Sequence, residues 1–369
     1  MRLNHFPLCL NPPEKKAAMT YLKNCWYMAG WSEELREQLL PRRLFDQPIL
    51  LYRKGDGSVA ALVDRCPHRF APLSLGAKMG DSVQCGYHGL TFDGTGQCVH
   101  NPFSEKIPAV AKVQSWAVIE RHDIIWLWGG LPEEADPALI PDFSMITNSS
   151  TVKAVHGYTL IEAPYEFATD NLMDLSHIEF VHKGSFAGAG VIFAGTHQVI
   201  EDGDTLRSNW WMPGVKAPSH TVGIYPPDMI CDHWLDMRWN APASMHLEIG
   251  ATPAGAARSE GIIVQQCHIV TPTSATTAHY FWASTRTHDL DSAEVDGFLL
   301  QLFGQAFDDE DKPIIKAAFE NLEGQDFWDA KPLSLGIDAG GTRARRKVQA
   351  MLKAESRTCG QSVDRQVVP

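Results

Sequence analysis

Cys66-Pro67-His68 and Cys85-Gly86-Tyr87-His88, with sixteen residues between His68 and Cys85, each carry one thiol and one imidazole. Cys66 and Cys85 can hold one iron of a [2Fe–2S] cluster while His68 and His88 hold the other, and neutral imidazole in place of thiolate raises the reduction potential. A Cys₂His₂ zinc site uses the same atoms, but it keeps its cysteines close together and its histidines close together. Here each loop supplies one of each. Pro67 stiffens the first loop, and Gly86 and Gly89 let backbone N–H groups approach sulfide in the second. The pattern reads as a centre that receives electrons, of the Rieske type.

Outward from the motif, Ile49–Arg53 and Val59–Asp64 are β-prone around the turn Lys54-Gly55-Asp56-Gly57. This hairpin delivers Cys66 and His68 just past its second strand. Leu90–Phe92 runs into Asp93-Gly94-Thr95-Gly96, which puts His88 at a strand edge, and Trp116–Glu120 turns at Arg121-His122-Asp123 into Ile124–Trp128. The region reads as a small all-β domain that ends where Gly129-Gly130, Pro132, Pro137 and Pro141 cluster. Beyond them, stretches at Thr196–Ile200, Met237–Ile249, Gly261–Val270 and Thr277–Ser284 predict a large antiparallel sheet. Helical patterns at Ala168–Val181, Ala293–Phe307, Ile314–Leu322 and Arg343–Lys353 would cover it, giving an α+β protein.

The 369 residues allow two cores. We expect an extension over residues 1–20, in which Asn11-Pro12-Pro13 breaks a feeble apolar stretch, then an all-β domain over 21–135 and a second domain over 136–369. A formal charge of −12 argues against nucleic-acid binding. No apolar run approaches the about 20 residues of a membrane span. Scattered cysteines argue against a disulfide scaffold and for a cytoplasmic protein.

A second constellation spans Asp170-Asn171-Leu172-Met173-Asp174-Leu175-Ser176-His177-Ile178-Glu179-Phe180-Val181-His182. Two histidines and a carboxylate make the facial triad that leaves positions open on iron(II); the alternative is a polar helix with two surface histidines. Five residues at about 100° each leave His177 and His182 about 140° apart on a regular helix. The segment must therefore bulge, or end before His182, and Gly184 and Gly188 favour an ending. Asp174 shares a face with His177, as a carboxylate that accepts a ligating histidine's other N–H would. For the third ligand, Asp308 and Asp309 read as solvated. Asp311 falls on the apolar stripe of Ile314, Ile315 and Ala318, while Glu310 continues that of Leu299, Leu302, Phe303 and Ala306, so pattern leaves both open.

Together the two sites resemble the oxygenase component of Rieske non-haem iron oxygenases, in the monooxygenase branch of the vanillate and dicamba O-demethylases. The markers are Asn24-Cys25-Trp26-Tyr27, Cys66 to Ser74, Asn171 to His177, Glu310-Asp311-Lys312 and Asp338-Ala339-Gly340. The resemblance implies a helix-grip catalytic domain, a cluster on Cys66, His68, Cys85 and His88, and a mononuclear iron on His177, His182 and Asp311, not Glu310. It also implies that Asp174 bridges His177 to His88 of a neighbouring subunit in a head-to-tail homotrimer, and that Asn171 stands near the iron. Leu247, His268 and Leu302 would face an aromatic substrate, although a one-residue slip would reverse Leu247.

The implied reaction is oxidative O- or N-dealkylation with O₂, releasing an aldehyde. Electrons would come from NADH through a separate flavin reductase, with or without a ferredoxin. This chain has no complete dinucleotide-binding glycine motif, since Gly94 and Gly96 sit in a hairpin. Arg343, Arg345, Arg346 and Lys347 read as a solvated helix face, or as a dock for an acidic ferredoxin. Two other functions remain: a cis-dihydroxylating dioxygenase, which shares both metal sites, and a non-enzymatic electron carrier, which leaves Asn171 to His177 unexplained.

Overall fold

A computed structural model describes residues 21–186 and 190–364, with side chains to residue 357; residues 1–20 and Gly188 lie outside the described residues. The first part is built from β1 (Trp26–Trp31), β2 (Leu40–Leu44), β3 (Gln47–Arg53), β4 (Val59–Val63), β5 (Ala77–Met79), β6 (Ser82–Gln84), β7 (Thr91–Asp93), β8 (Cys98–His100), β9 (Ser115–Trp116), β10 (Val118–Arg121) and β11 (Ile124–Trp128). They form the antiparallel sheets β2-β3-β4-β9, β5-β6-β7-β8 and β1-β11-β10. The expected strand Trp116–Glu120 is divided: Trp116 pairs with Ala61 of β4, and Val118 onward pairs with β11.

The third sheet joins the two halves of the molecule. All of β1, Trp26-Tyr27-Met28-Ala29-Gly30-Trp31, is buried, as a strand covered on both faces must be. Trp26, Met28, Trp31, Trp126 and Trp128 share a core with Cys267, Ile269, Phe281 and Ala283 of the second half. Hydrogen bonds from Phe45 N–H to the Pro272 carbonyl (3.1 Å) and from Thr271 Oγ1 to the Met28 carbonyl (2.8 Å) tie them further.

The second half contains β12 (Lys153–Ile161), α1 (Tyr165–Met173), α2 (Ile178–Val181), β13 (Thr196–Asp202), β14 (Thr205–Lys216), β15 (Ile230–Asn240), β16 (Ser244–Pro253), β17 (Ile262–Ser274), β18 (Thr277–Arg286), α3 (Ala293–Gly304), α4 (Lys312–Glu320) and α5 (Ala339–Asp364). Its seven strands run antiparallel in the order β12-β18-β17-β16-β15-β14-β13. Three readings of the sequence need correction here. Met237–Ile249 is two strands, because Ala241-Pro242-Ala243 turns between them. Strand β12 carries no clear alternation at His156-Gly157-Tyr158; Gly157 is required there because a Cβ would lie 2.2 Å from the Trp282 ring. Strand β14 was missed likewise, its pattern diluted by Ser208, Asn209, Pro213 and Gly214.

Helix α1 stops at Asp174, so the continuous helix expected over Ala168–Val181 is broken. Helix α5 packs against that break. A Cβ on Gly340 would lie 2.8 Å from the Met173 carbonyl, and one on Gly341 2.9 Å from Asp170 Oδ1. Arg345 Nε donates to both Asp170 carboxylate oxygens (2.9 and 2.7 Å) while its guanidinium lies 4.0 Å from the Phe327 ring. Arg343 donates to the Val199 carbonyl, Lys347 pairs with Glu201, and Arg346 stands over Trp328. Arg345 is thus tied into its own fold, while Arg343 and Arg346 stay exposed, as a solvated helix face would have them.

Burial pushes His220 and His268 down to about 3 and His279 to about 4. Their unfolded values are higher, so between pH 7 and 4 the unfolded chain binds more protons and stability falls as pH falls. We expect the melting temperature to drop steadily from pH 7 to pH 5 in a low-salt scan; a flat profile would contradict these buried neutral imidazoles.

Candidate metal centres

The two cysteine loops have the same backbone. Cys66 N–H donates to Ala71 and Phe70 N–H to Cys66; Cys85 N–H donates to Leu90 and Gly89 N–H to Cys85, all at 2.8–3.0 Å. Phe70 and Gly89, four residues after each cysteine, both adopt positive φ, 60° and 75°. Each loop therefore turns its cysteine inward and its histidine outward. Both thiols are buried, and burial together with the nearby Cys85 thiol pushes the Cys66 thiol up. The His68 and His88 rings lie side by side, centroids 4.6 Å apart, at the surface. Two thiols beneath two imidazoles fit a [2Fe–2S] cluster with one iron on each pair.

The loops are held by what surrounds them. Asp64 accepts from Ser74 N–H (2.7 Å) and Oγ (2.6 Å), pinning the first loop across its base. The second loop passes so close that a Cβ on Gly76 would lie 1.9 Å from the Gln84 carbonyl oxygen, and one on Gly86 2.6 Å from that of Leu75.

The other centre forms where α1 breaks. Asp174 leaves α1 in an extended conformation, and its Oδ1 accepts from Ser176 N–H and Oγ, starting a 3₁₀ turn over Leu175–His177. Helix α2 is one turn long, and His182 leaves it as its C-cap. The chain has taken the early ending, not the bulge. A bulge occurs elsewhere: Gln305–Asp311 is a π-helical stretch between α3 and α4. It buries Asp311 with Ile315 while Ile314 and Ala318 are exposed, so the apolar stripe that suggested Asp311 is not the reason for its burial. Asp308 and Asp309 are exposed.

His177, His182 and Asp311 offer donor atoms that all lie within 4.8 Å of one another. His177 Nε2 is 3.6 Å from Asp311 Oδ1, and His182 Nε2 is 3.3 Å from Oδ2. Both Nδ1 atoms are taken on the far side, by the Asp174 carbonyl for His177 (2.5 Å) and by Glu310 Oε2 for His182 (2.8 Å). This fixes both Nε2 atoms toward one point. Asp174 thus meets His177 through its backbone and not its carboxylate, and the carboxylate behind a histidine is Glu310, a role the sequence reading missed. Asn171 Nδ2 donates to Asp311 Oδ1 (3.1 Å). Burial holds His177 below the ordinary imidazole range. Burial also acts on His182, but Asp311 and Glu310 outweigh it and hold it up. Two imidazoles and one carboxylate fit a mononuclear iron(II).

Residues 25–116 match the Rieske [2Fe-2S] domain model, and residues 161–354 match that of the vanillate O-demethylase oxygenase C-terminal domain. The dicamba O-demethylase oxygenase component of Stenotrophomonas maltophilia is 36% identical over 92% of this chain and 100% of its own length. The chloroacetanilide N-alkylformylase oxygenase component of Rhizorhabdus wittichii is 34% identical over 91% and 97%. A crystal structure of dicamba monooxygenase bound to 3,6-dichlorosalicylic acid superposes with a TM-score of 0.86, at 36% identity over 92% of this chain and 99% of that one. The chain belongs to the vanillate O-demethylase family of Rieske oxygenase components.

In this oxygenase an aromatic wall leads from the triad to the large sheet. Phe186 lies 5.5 Å from the His182 ring and 5.4 Å from Phe303; Phe307 meets Tyr280, Trp282 and His268 at 5.2, 5.5 and 5.9 Å. Leu247 is opposite Met237 and Gln266 in the ladders, buried in the same core as Tyr280 and Trp282. Leu302 is half-buried on α3. His268 has both nitrogens engaged, Nδ1 with Tyr280 Oη (2.7 Å) and Nε2 with Gln266 Oε1 (3.1 Å). A substrate would have to displace one of them. Among the described residues no helix is long and apolar enough to cross a membrane.

Replacing Gly76 by alanine should push the Cys85 loop off the first one. We expect the variant to lose most of the cluster's visible absorbance per chain while circular dichroism of the remainder persists; full cluster content would show that the close approach is dispensable.

Proposed function

We propose that this oxygenase component removes an alkyl group oxidatively from an uncharged aromatic ether or N-alkyl aryl compound. The observation that carries the substrate class is the wall of Phe186, Phe303, Phe307, Tyr280 and Trp282 beside the triad, with which no lysine or arginine pairs among the described residues. An aryl carboxylate there would bury its charge with no lysine or arginine to neutralise it. Leu247 and Leu302 would grip the ring and His268 would exchange its Gln266 contact for a substrate acceptor. The named relatives include both an O-demethylase and an N-alkylformylase, so either heteroatom fits the reading.

Iron bound by His177, His182 and Asp311 supplies the O₂ chemistry that hydroxylates the carbon attached to oxygen or nitrogen. The product hemiacetal or hemiaminal then breaks its C–O or C–N bond, giving an aldehyde and a phenol or amine, with the second oxygen atom leaving as water. Cys66, His68, Cys85 and His88 hold the cluster that takes electrons from a separate reductase or ferredoxin, in a cytoplasmic setting. For the path between centres we propose a homotrimer in which Asp174 of one subunit meets His88 of a neighbouring subunit. Two features support it. Asp174 Oδ2 carries no hydrogen bond among the described residues and its side chain is half-exposed. The cluster loops carry an exposed apolar rim of Phe70, Leu75, Met79 and Tyr87, as a surface covered by another subunit would.

The test incubates the oxygenase with a reductase, NADH and panels of methoxy- and N-alkyl-aryl compounds. Aldehyde should form in equal amount to dealkylated product, faster from neutral compounds than from carboxylates. Formation of cis-diols without aldehyde would move the protein to the dioxygenases, and a preference for carboxylates would refute the pocket reading. Asp174→Asn should retain both metal centres yet slow NADH-coupled product formation by orders of magnitude. Loss of cluster colour in that variant would assign Asp174 a structural task instead.

A further inference from the structure

The geometry points to Glu310 as the positioning residue that holds His182 against the iron site, a reach created by the π-helical turn before Asp311. The inference rests on the reading of His177, His182 and Asp311 as iron ligands.

His182 needs such a partner more than His177 does. The His177 Nδ1–H is accepted by a carbonyl in its own 3₁₀ turn, three residues away. His182 has left α2 and begins a loop, so no local carbonyl orients its ring. Glu310 Oε2 lies 2.8 Å from His182 Nδ1, and His182 is almost fully buried. Asp311, the next residue, lies 3.3 Å from Nε2 of the same ring. Consecutive residues on a regular helix point about 100° apart; here they address opposite edges of one imidazole from across the loop.

Glu310 is itself fixed at both oxygens. Ser185 Oγ donates to Oε2 at 2.5 Å, and Gln305 Nε2 donates to Oε1 at 3.1 Å. Gln305 and Glu310 are five residues apart, a spacing that an α-helix separates by about 140° and that the wider π-turn brings together. Gly184 completes the fit. A Cβ there would lie 2.7 Å from both Gln305 Nε2 and Glu310 Oε1, so a larger residue would have to displace the two side chains from their present contact. The turn that aims Asp311 at the metal thus also aims Glu310 at the back of His182.

The test uses the cluster-loaded protein with its mononuclear iron removed, and titrates Fe(II) anaerobically against a chelator. Glu310→Ala should weaken Fe(II) binding about 10- to 100-fold, the usual cost of removing a group that orients a metal-bound histidine. Glu310→Gln keeps an acceptor for His182 N–H and should recover part of that loss. Asp309→Asn, which removes an exposed neighbouring charge, should bind as the parent does, and all variants should keep the parent's cluster spectrum. Ser185→Ala should show a smaller weakening in the same direction, which covers the case in which Glu310→Ala folds poorly. Parent-like binding by Glu310→Ala, or equal weakening by Asp309→Asn, overturns the inference while leaving the iron site standing. If the parent takes up no more Fe(II) than His182→Ala, the iron reading fails and this inference with it.

Discussion

Three donor atoms must meet at one point, and regular helices cannot bring them there. His177 and His182 are five residues apart, and the chain aims both inward only by breaking α1 at Asp174 and ending α2 before His182. Asp311 arrives from a second irregularity, the π-helical turn. Neither irregularity stands alone. The break in α1 is gripped by α5, where Gly340, Gly341 and Arg345 close on Met173 and Asp170. The π-turn is held by Gln305, Glu310 and Ser185. Irregular backbone at a functional site persists when its surroundings over-determine it.

The cluster half meets a different demand, for two thiols inside and two imidazoles outside. It does so by using one loop twice. The matching hydrogen bonds at Cys66 and Cys85, and the matching positive φ at Phe70 and Gly89, give the same turn from different sequences. The halves are joined by a tryptophan-rich sheet whose core includes strands of both, so the orientation of the cluster loops relative to the large sheet is set by packing and not by a flexible linker.

Much of this geometry was legible in the sequence because side chains that must converge on one point leave spacing signatures. The two Cys/His loops, the hairpins flanking them and the need for a disturbed helix before His182 follow from residue types and from 3.6 residues per turn. What was not legible has specific causes. The π-turn hides in Gln305–Asp311 because no composition signals a wider helix. It also misaligned the stripe argument, since Ile314 and Ala318 are exposed. Asp174 was credited with a carboxylate contact to His177 that its carbonyl makes. The contacts of the basic residues of α5 could not be read because their partners, Asp170, Val199, Glu201 and Trp328, lie outside the helix.

The central claim is that one chain carries two separate metal centres, and iron counting tests it most directly. Protein purified anaerobically should contain about three irons, two in the cluster and one mononuclear, with acid-labile sulfide matching the cluster. His177→Ala should lose one iron and keep the cluster spectrum unchanged. Stoichiometric zinc without sulfide, or an iron content that His177→Ala leaves untouched, would contradict the account.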